Sequence, residues 1–284
     1  MDDVLVSLGT VAGTVTVCQA LRRMAREMLQ PPCPPPQVGR GGQTQAPLLE
    51  LATELFSTLQ LCLCTHELRL LGLSGVMPGW GPALVLVYLI TLVHISTFGS
   101  ASCNPVSSLE QFLCGHCSGQ LALFKVLVQL AAAAVAHSLS EVIWALHLSD
   151  LHLHHSQSQH KCTSALNTST LSSGMLVEFA CAFSLRAVIF RFQHLAPTPK
   201  MHLVVGIITF LVFAAGDLTG AVFNPALAYS VTFNCEGNTF LEYALVYWLG
   251  PLLGALTAVV LLDKNTAYCT SIAVQTQKPT EKED

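Results

Sequence analysis

Four stretches of this chain, residues 83–102, 126–140, 203–215 and 244–262, contain no Asp, Glu, Lys or Arg. Only 11% of the 284 residues are charged and 52% are hydrophobic, whereas soluble domains carry about 25% charged residues. So few charges cannot cover a water-facing surface of this size, so apolar side chains must face lipid. A bilayer-crossing helix needs roughly 20 mainly apolar residues, and with polar flanks most of these runs reach that length. In lipid every backbone N–H and C=O must be paired within the protein, which favours helices. The net charge of -4 comes with no basic stripe, so nothing here suits nucleic acid.

Residues 4–21 are apolar but begin after Asp2-Asp3, and Arg22, Arg23 and Arg26 follow rather than precede them. A cleaved leader carries its positive charge first, so this segment reads as a retained helix. Two placements stay open for it, an additional crossing or an interfacial helix. A Pro/Gly-rich linker follows, closing an N-terminal region of residues 1–47. A membrane-spanning domain then covers 48–262, and a polar tail expected on the cytoplasmic side covers 263–284. Within the domain the pattern predicts spans over 48–70, 83–102, 121–146, 175–194, 202–221 and 240–262. Two shorter stretches, 105–114 and 225–233, are half a span each, and each starts directly after an Asn as Asn-Pro. With six core spans and both core ends inside, ten of the thirteen Lys and Arg fall on inside segments, against Arg69 and Lys161 outside. That is the bias expected of cytoplasmic loops.

The constellation around each Asn-Pro occurs twice. Glu54 lies in an apolar span 50 residues before Asn104, and Glu178 lies in another 46 residues before Asn224. Three full spans per copy is an odd number, so the second copy is inverted in the membrane. Inverted repeats with broken helices meeting at the midplane build solute pathways. Asn is a favoured N-cap and Pro a favoured first helical residue. Half-helices entering from opposite sides would bring two positive N-termini together, disfavouring cations there. Their Asn amides could donate to a passing oxygen. Charged groups within spans are costly and mark function, so Glu54 and Glu178 are read as loop supports that accept from N–H groups ahead of each half-helix.

These residues resemble the major intrinsic protein (aquaporin) family. Gly216-Asp217-Leu218-Thr219-Gly220-Ala221-Val222-Phe223-Asn224-Pro225-Ala226 is similar to its second Asn-Pro-Ala loop, and Tyr247-Trp248-Leu249-Gly250-Pro251-Leu252-Leu253-Gly254 to its last helix. Leu61-Cys62-Leu63-Cys64, Leu148-Ser149-Asp150-Leu151 and Val231-Thr232-Phe233 point to the divergent intracellular subfamily of aquaporin-11 and aquaporin-12. The resemblance implies an all-α membrane protein, a six-helix bundle with two Asn-Pro half-helices, here with an extra N-terminal helix. It further implies a homotetramer in the endoplasmic reticulum membrane, or also the plasma membrane, passing water, glycerol or hydrogen peroxide without cofactor, metal or catalysis. The pore motifs would be Asn104-Pro105-Val106 and Asn224-Pro225-Ala226, with Val106 where relatives carry Ala, Cys or Thr. Leu227 stands where water-selective members have Arg, and by spacing Leu84, Val212 and Ala221 complete the constriction. Four apolar residues predict weak polar selection and passage of neutral solutes somewhat larger than water. A second reading, motivated by Val106 and Leu227, is a non-conducting protein with a structural or assembly role.

Some features carry two readings. Asn167-Thr168-Ser169 is a glycosylation sequon in a loop expected outside. Cys235 reads either as a buried free thiol or as a gating site sensitive to oxidation; the odd cysteine count of 11 argues against a full disulfide framework. His147, His152, His154, His155 and His160 crowd the outside loop, and we read it as a solvated polar segment rather than a metal or pH-sensing site. His94 either faces the pore or satisfies a backbone carbonyl.

Overall fold

The computed structural model describes residues 2–29, 45–77, 79–157 and 162–262. The polar tail, most of the linker, His160 and Lys161 lie outside them. Among the described residues the chain is helical, with one isolated bridge between Thr163 and Glu236. Its helices are α1 (Asp2–Leu29), α2 (Gln45–Leu73), α3 (Trp80–Thr97), α4 (Pro105–Leu113), α5 (Gly119–Ala145) and α6 (Asp150–Gln157). They continue with α7 (Leu171–Arg191), α8 (Pro197–Thr219), α9 (Pro225–Val231), α10 (Phe240–Ala244) and α11 (Gly250–Leu262). Among the described residues, seven spans are long and apolar enough to cross a membrane, the last being Phe240–Leu262.

The extra helix α1 runs antiparallel along α2. The Ser7 hydroxyl donates to Glu67 Oε1 at 2.6 Å near one end, and Arg22 donates to Ser57 at 3.3 Å and Gln60 at 2.7 Å towards the other. α1 therefore runs alongside α2 and is, like it, long and apolar enough to cross a membrane. Its basic end lies beside the end of α2 that the charge bias puts inside.

Local chemistry sets the two half-helices. Asn104 caps α4 in extended conformation, its Oδ1 accepting from Val106 N at 3.0 Å. Asn224 caps α9 likewise, accepting from Ala226 N at 3.1 Å. Pro at the first position lacks an N–H that would be orphaned there anyway. At 9 and 7 residues and about 1.5 Å rise each, neither can cross a hydrocarbon core of about 30 Å.

The span expected over 83–102 ends at Thr97. Beyond it Gly99 has φ 64, a left-handed turn that leaves the helical path. The last span contains a widened π turn over Leu245–Leu249 just before Pro251, which offers no N–H to the turn below it. α11 approaches α7 closely: a Cβ on Gly254 would sit 2.2 Å from Phe179 O, and one on Gly250 2.7 Å from Met175 O. Only glycine fits these positions.

In the histidine loop His147 and His154 are exposed as expected, and His152 departs from the solvated reading. Ser149 Oγ accepts from His152 N at 3.3 Å at the start of α6, and His152 is fully buried with Nε2 2.8 Å from Glu67 Oε1. Glu67 also accepts from Ser7 and, at 3.0 Å, from Trp144 Nε1. A buried carboxylate with such donors stitches α1, α2, α5 and α6 together at the outer end.

Candidate pore at the paired half-helices

The residue before each Asn has positive φ, Cys103 at 52° and Phe223 at 34°. This turn aims each carbonyl across the molecule. Asn224 Nδ2 donates to Cys103 O at 2.8 Å, and Asn104 Nδ2 donates to Phe223 O at 3.2 Å. The two caps thus lock each other tip to tip. A carboxamide carries two N–H donors, so each Asn keeps a second one, and both residues line a cavity of about 840 Å³.

Each loop is held by its own buried glutamate. Glu54 Oε1 accepts from Ser102 N at 2.8 Å and Oε2 from Cys103 N at 2.9 Å. Glu178 Oε1 accepts from Val222 N at 3.1 Å and Oε2 from Phe223 N at 2.5 Å. Both glutamates are fully buried. The residues joining them are not symmetric: Gln129 Nε2 donates to Glu54 Oε2 at 2.9 Å, whereas Thr219 Oγ1 donates to Glu178 Oε1 at 2.6 Å. Gln129 was not singled out from sequence; a Gln inside an uncharged run was the only signal. Tyr247 extends the second network, its hydroxyl donating to Thr219 O at 2.7 Å.

The cavity lining includes Val106, Val212, Ala221 and Leu227. Leu84 is not part of it. Ala83, Leu86, Val87, Ile90 and His94 form the stripe of α3 that faces the cavity, and position 84 falls off that helical face. Ala226 is also absent from the lining, being fully buried with Cys62, Leu63, Ala133 and Ala136. It packs where α9 meets α2 and α5. His94 lines the cavity, stacked on Phe98 with ring centroids 5.0 Å apart, and its Nε2 has no protein partner among the described residues.

Cys235 is not a free thiol. It forms a disulfide with Cys162, 73 residues away in sequence. An odd cysteine count excludes pairing them all but says nothing of one pair. Beside this bond Ser164 N donates to Glu236 O at 2.8 Å and Glu236 N to Cys162 O at 2.9 Å, which ties the outer loop to the end of α9. Asn167 is exposed, with its Nδ2 donating to Asp217 O at 3.1 Å. At the other mouth Arg186 is paired with Glu110.

Helix caps that meet tip to tip, inverted glutamate-supported loops and a cavity between them define a membrane conduit built from a duplicated unit. The profile of the Major intrinsic protein family matches residues 65–262, and the chain belongs to that family. It is 39% identical to Aquaporin-12 of Mus musculus over 92% of this chain and 86% of that protein. It is 35% identical to Aquaporin-11 of Equus caballus over 93% and 90%, and 33% identical to Aquaporin-11 of Homo sapiens over 93% and 90%. The chain is thus an integral membrane protein of channel type and not an enzyme.

Proposed function

We propose that this chain passively conducts water and small neutral solutes, with glycerol and hydrogen peroxide foremost, between the two Asn-capped half-helices. The observation that carries this reading is the reciprocal lock of Asn104 and Asn224 inside the 840 Å³ cavity. The lock keeps two positive helix ends at one point, which disfavours cations, and leaves an amide donor from each side for a solute oxygen. Val106, Val212, Ala221 and Leu227 supply no further donors, so selection rests on size and neutrality more than on hydrogen-bond matching. Glu54 and Glu178 serve in this account as supports for the two loops.

Stopped-flow light scattering on proteoliposomes tests it, with water and glycerol as osmotic solutes and an internal dye for peroxide. At least one of the three fluxes is expected to exceed that of empty vesicles several-fold. All three matching empty vesicles would favour the non-conducting assembly role. Homotetramer formation and residence in the endoplasmic reticulum membrane belong to the same proposal and rest on the resemblance, and a glycan on Asn167 rests on the sequon Asn167-Thr168-Ser169 in a loop expected outside. A monomer mass in mild detergent, or no glycosidase-sensitive mass, would remove the corresponding part.

A further inference from the structure

The outer mouth of the cavity holds an arginine that no pore motif includes. Arg69, at the outer end of α2, lines the cavity together with Thr163, Asn167 and Asp217. Its guanidinium donates through Nη1 to Val231 O and through Nη2 to Thr163 O at 3.4 Å. Val231 ends α9 and lies one turn outward of Leu227, both on the cavity wall. Carbonyls at a helix C-terminus lack intrahelical donors, so this is a fitting anchor for a cation. The second anchor, Thr163, follows Cys162, and Val231 precedes Cys235 by one turn, so the disulfide flanks both.

These anchors are neutral. Among the described residues Arg69 pairs with no carboxylate, Asp217 included. The contrast is with the inner mouth, where Arg186 is neutralised by Glu110. Arginine stays protonated at any physiological pH, and two carbonyls occupy only two of its five N–H donors. A half-buried positive charge, with no carboxylate in ion-pair contact among the described residues, therefore stands where solutes enter from outside. Low-dielectric walls strengthen its field relative to bulk water.

We infer that Arg69 is the specificity-determining residue of the outer mouth, repelling small cations and offering N–H donors to the oxygens of neutral solutes. This rests on the channel reading above. It assigns polar selection to α2 in a pore whose Leu227 position is apolar.

The test uses proteoliposomes carrying the full chain, with glycerol swelling and methylammonium uptake read on the same preparation. Arg69→Gln is expected to raise methylammonium uptake by at least about tenfold, while glycerol flux, lowered by the lost N–H donors, stays above that of empty vesicles. Arg69→Lys, which keeps the charge, is expected to leave methylammonium excluded. An unchanged methylammonium rate in Arg69→Gln vesicles that still pass glycerol overturns the inference and leaves the channel reading standing. A wild type that passes no water, glycerol or peroxide overturns both. Should Arg69→Gln not fold, Asn167→Asp carries the test, since it sets a negative charge at the same mouth against an intact Arg69. Raised methylammonium uptake there supports the inference, and uptake equal to wild type contradicts it.

Discussion

Replacing Glu178 with Ala is expected to abolish most of the folded protein. The substitution strips the partners from Val222 N, Phe223 N and the Thr219 hydroxyl at once. Each buried group left unpaired costs about 1–3 kcal/mol, so the loss is roughly 3–9 kcal/mol against a typical stability of about 5–15 kcal/mol. Glu178→Gln keeps one acceptor oxygen and the shape, and should lose less. Detergent-solubilised yield and thermal midpoint, read by fluorescence-detected size exclusion, check the order wild type, then Gln, then Ala. An Ala variant as stable as wild type would show that Glu178 does not support the loop.

The second large effect belongs to a glycine. Gly254→Ala adds one methyl group, placed 2.2 Å from Phe179 O on the backbone of α7. Backbone cannot swing aside as a side chain can, so the two helices must part along their most closely packed seam. Overpacking costs about 1–3 kcal/mol, which for a chain of this size lowers the thermal midpoint by roughly 2–12 °C. Gly206→Ala is the matched control. Nothing lies within 4 Å of a Cβ built on Gly206, and Ala gains up to about 1 kcal/mol of helix propensity there. Its midpoint should hold or rise. If both variants behave alike, close packing of α7 on α11 is not what Gly254 provides.

What was legible in the sequence divides along physical lines. The half-helices could be read because an Asn cap followed by Pro is local chemistry, complete within three residues. The spans could be read because exclusion of charge is a property of each segment alone. Glu54 and Glu178 stood out because a carboxylate is conspicuous in an apolar helix. What each residue touches is a tertiary fact. Whether Cys235 pairs depends on a loop returning from 73 residues away, and the count of cysteines cannot show that. Leu84 is placed by spacing alone, and one step around a helix turns a side chain by about 100°, enough to take it off the face of α3 that lines the cavity. His152 sits in a run of histidines that looks solvated, yet a single buried acceptor, Glu67, draws it inside. The part Arg69 plays could not be seen either, since its partners are carbonyls that any residue carries.

The central claim is that solute passes where Asn104 and Asn224 meet. Asn224→Asp tests it most directly, because it changes one amide to a carboxylate of the same shape. The donor to Cys103 O, now 2.8 Å away, disappears and two oxygens face each other. Stopped-flow flux of the preferred neutral solute, measured at matched amounts of folded protein, is predicted to fall at least about tenfold, in keeping with loss of a charge-sensitive constriction. Wild-type flux through folded Asn224→Asp would contradict the account and place the pathway elsewhere.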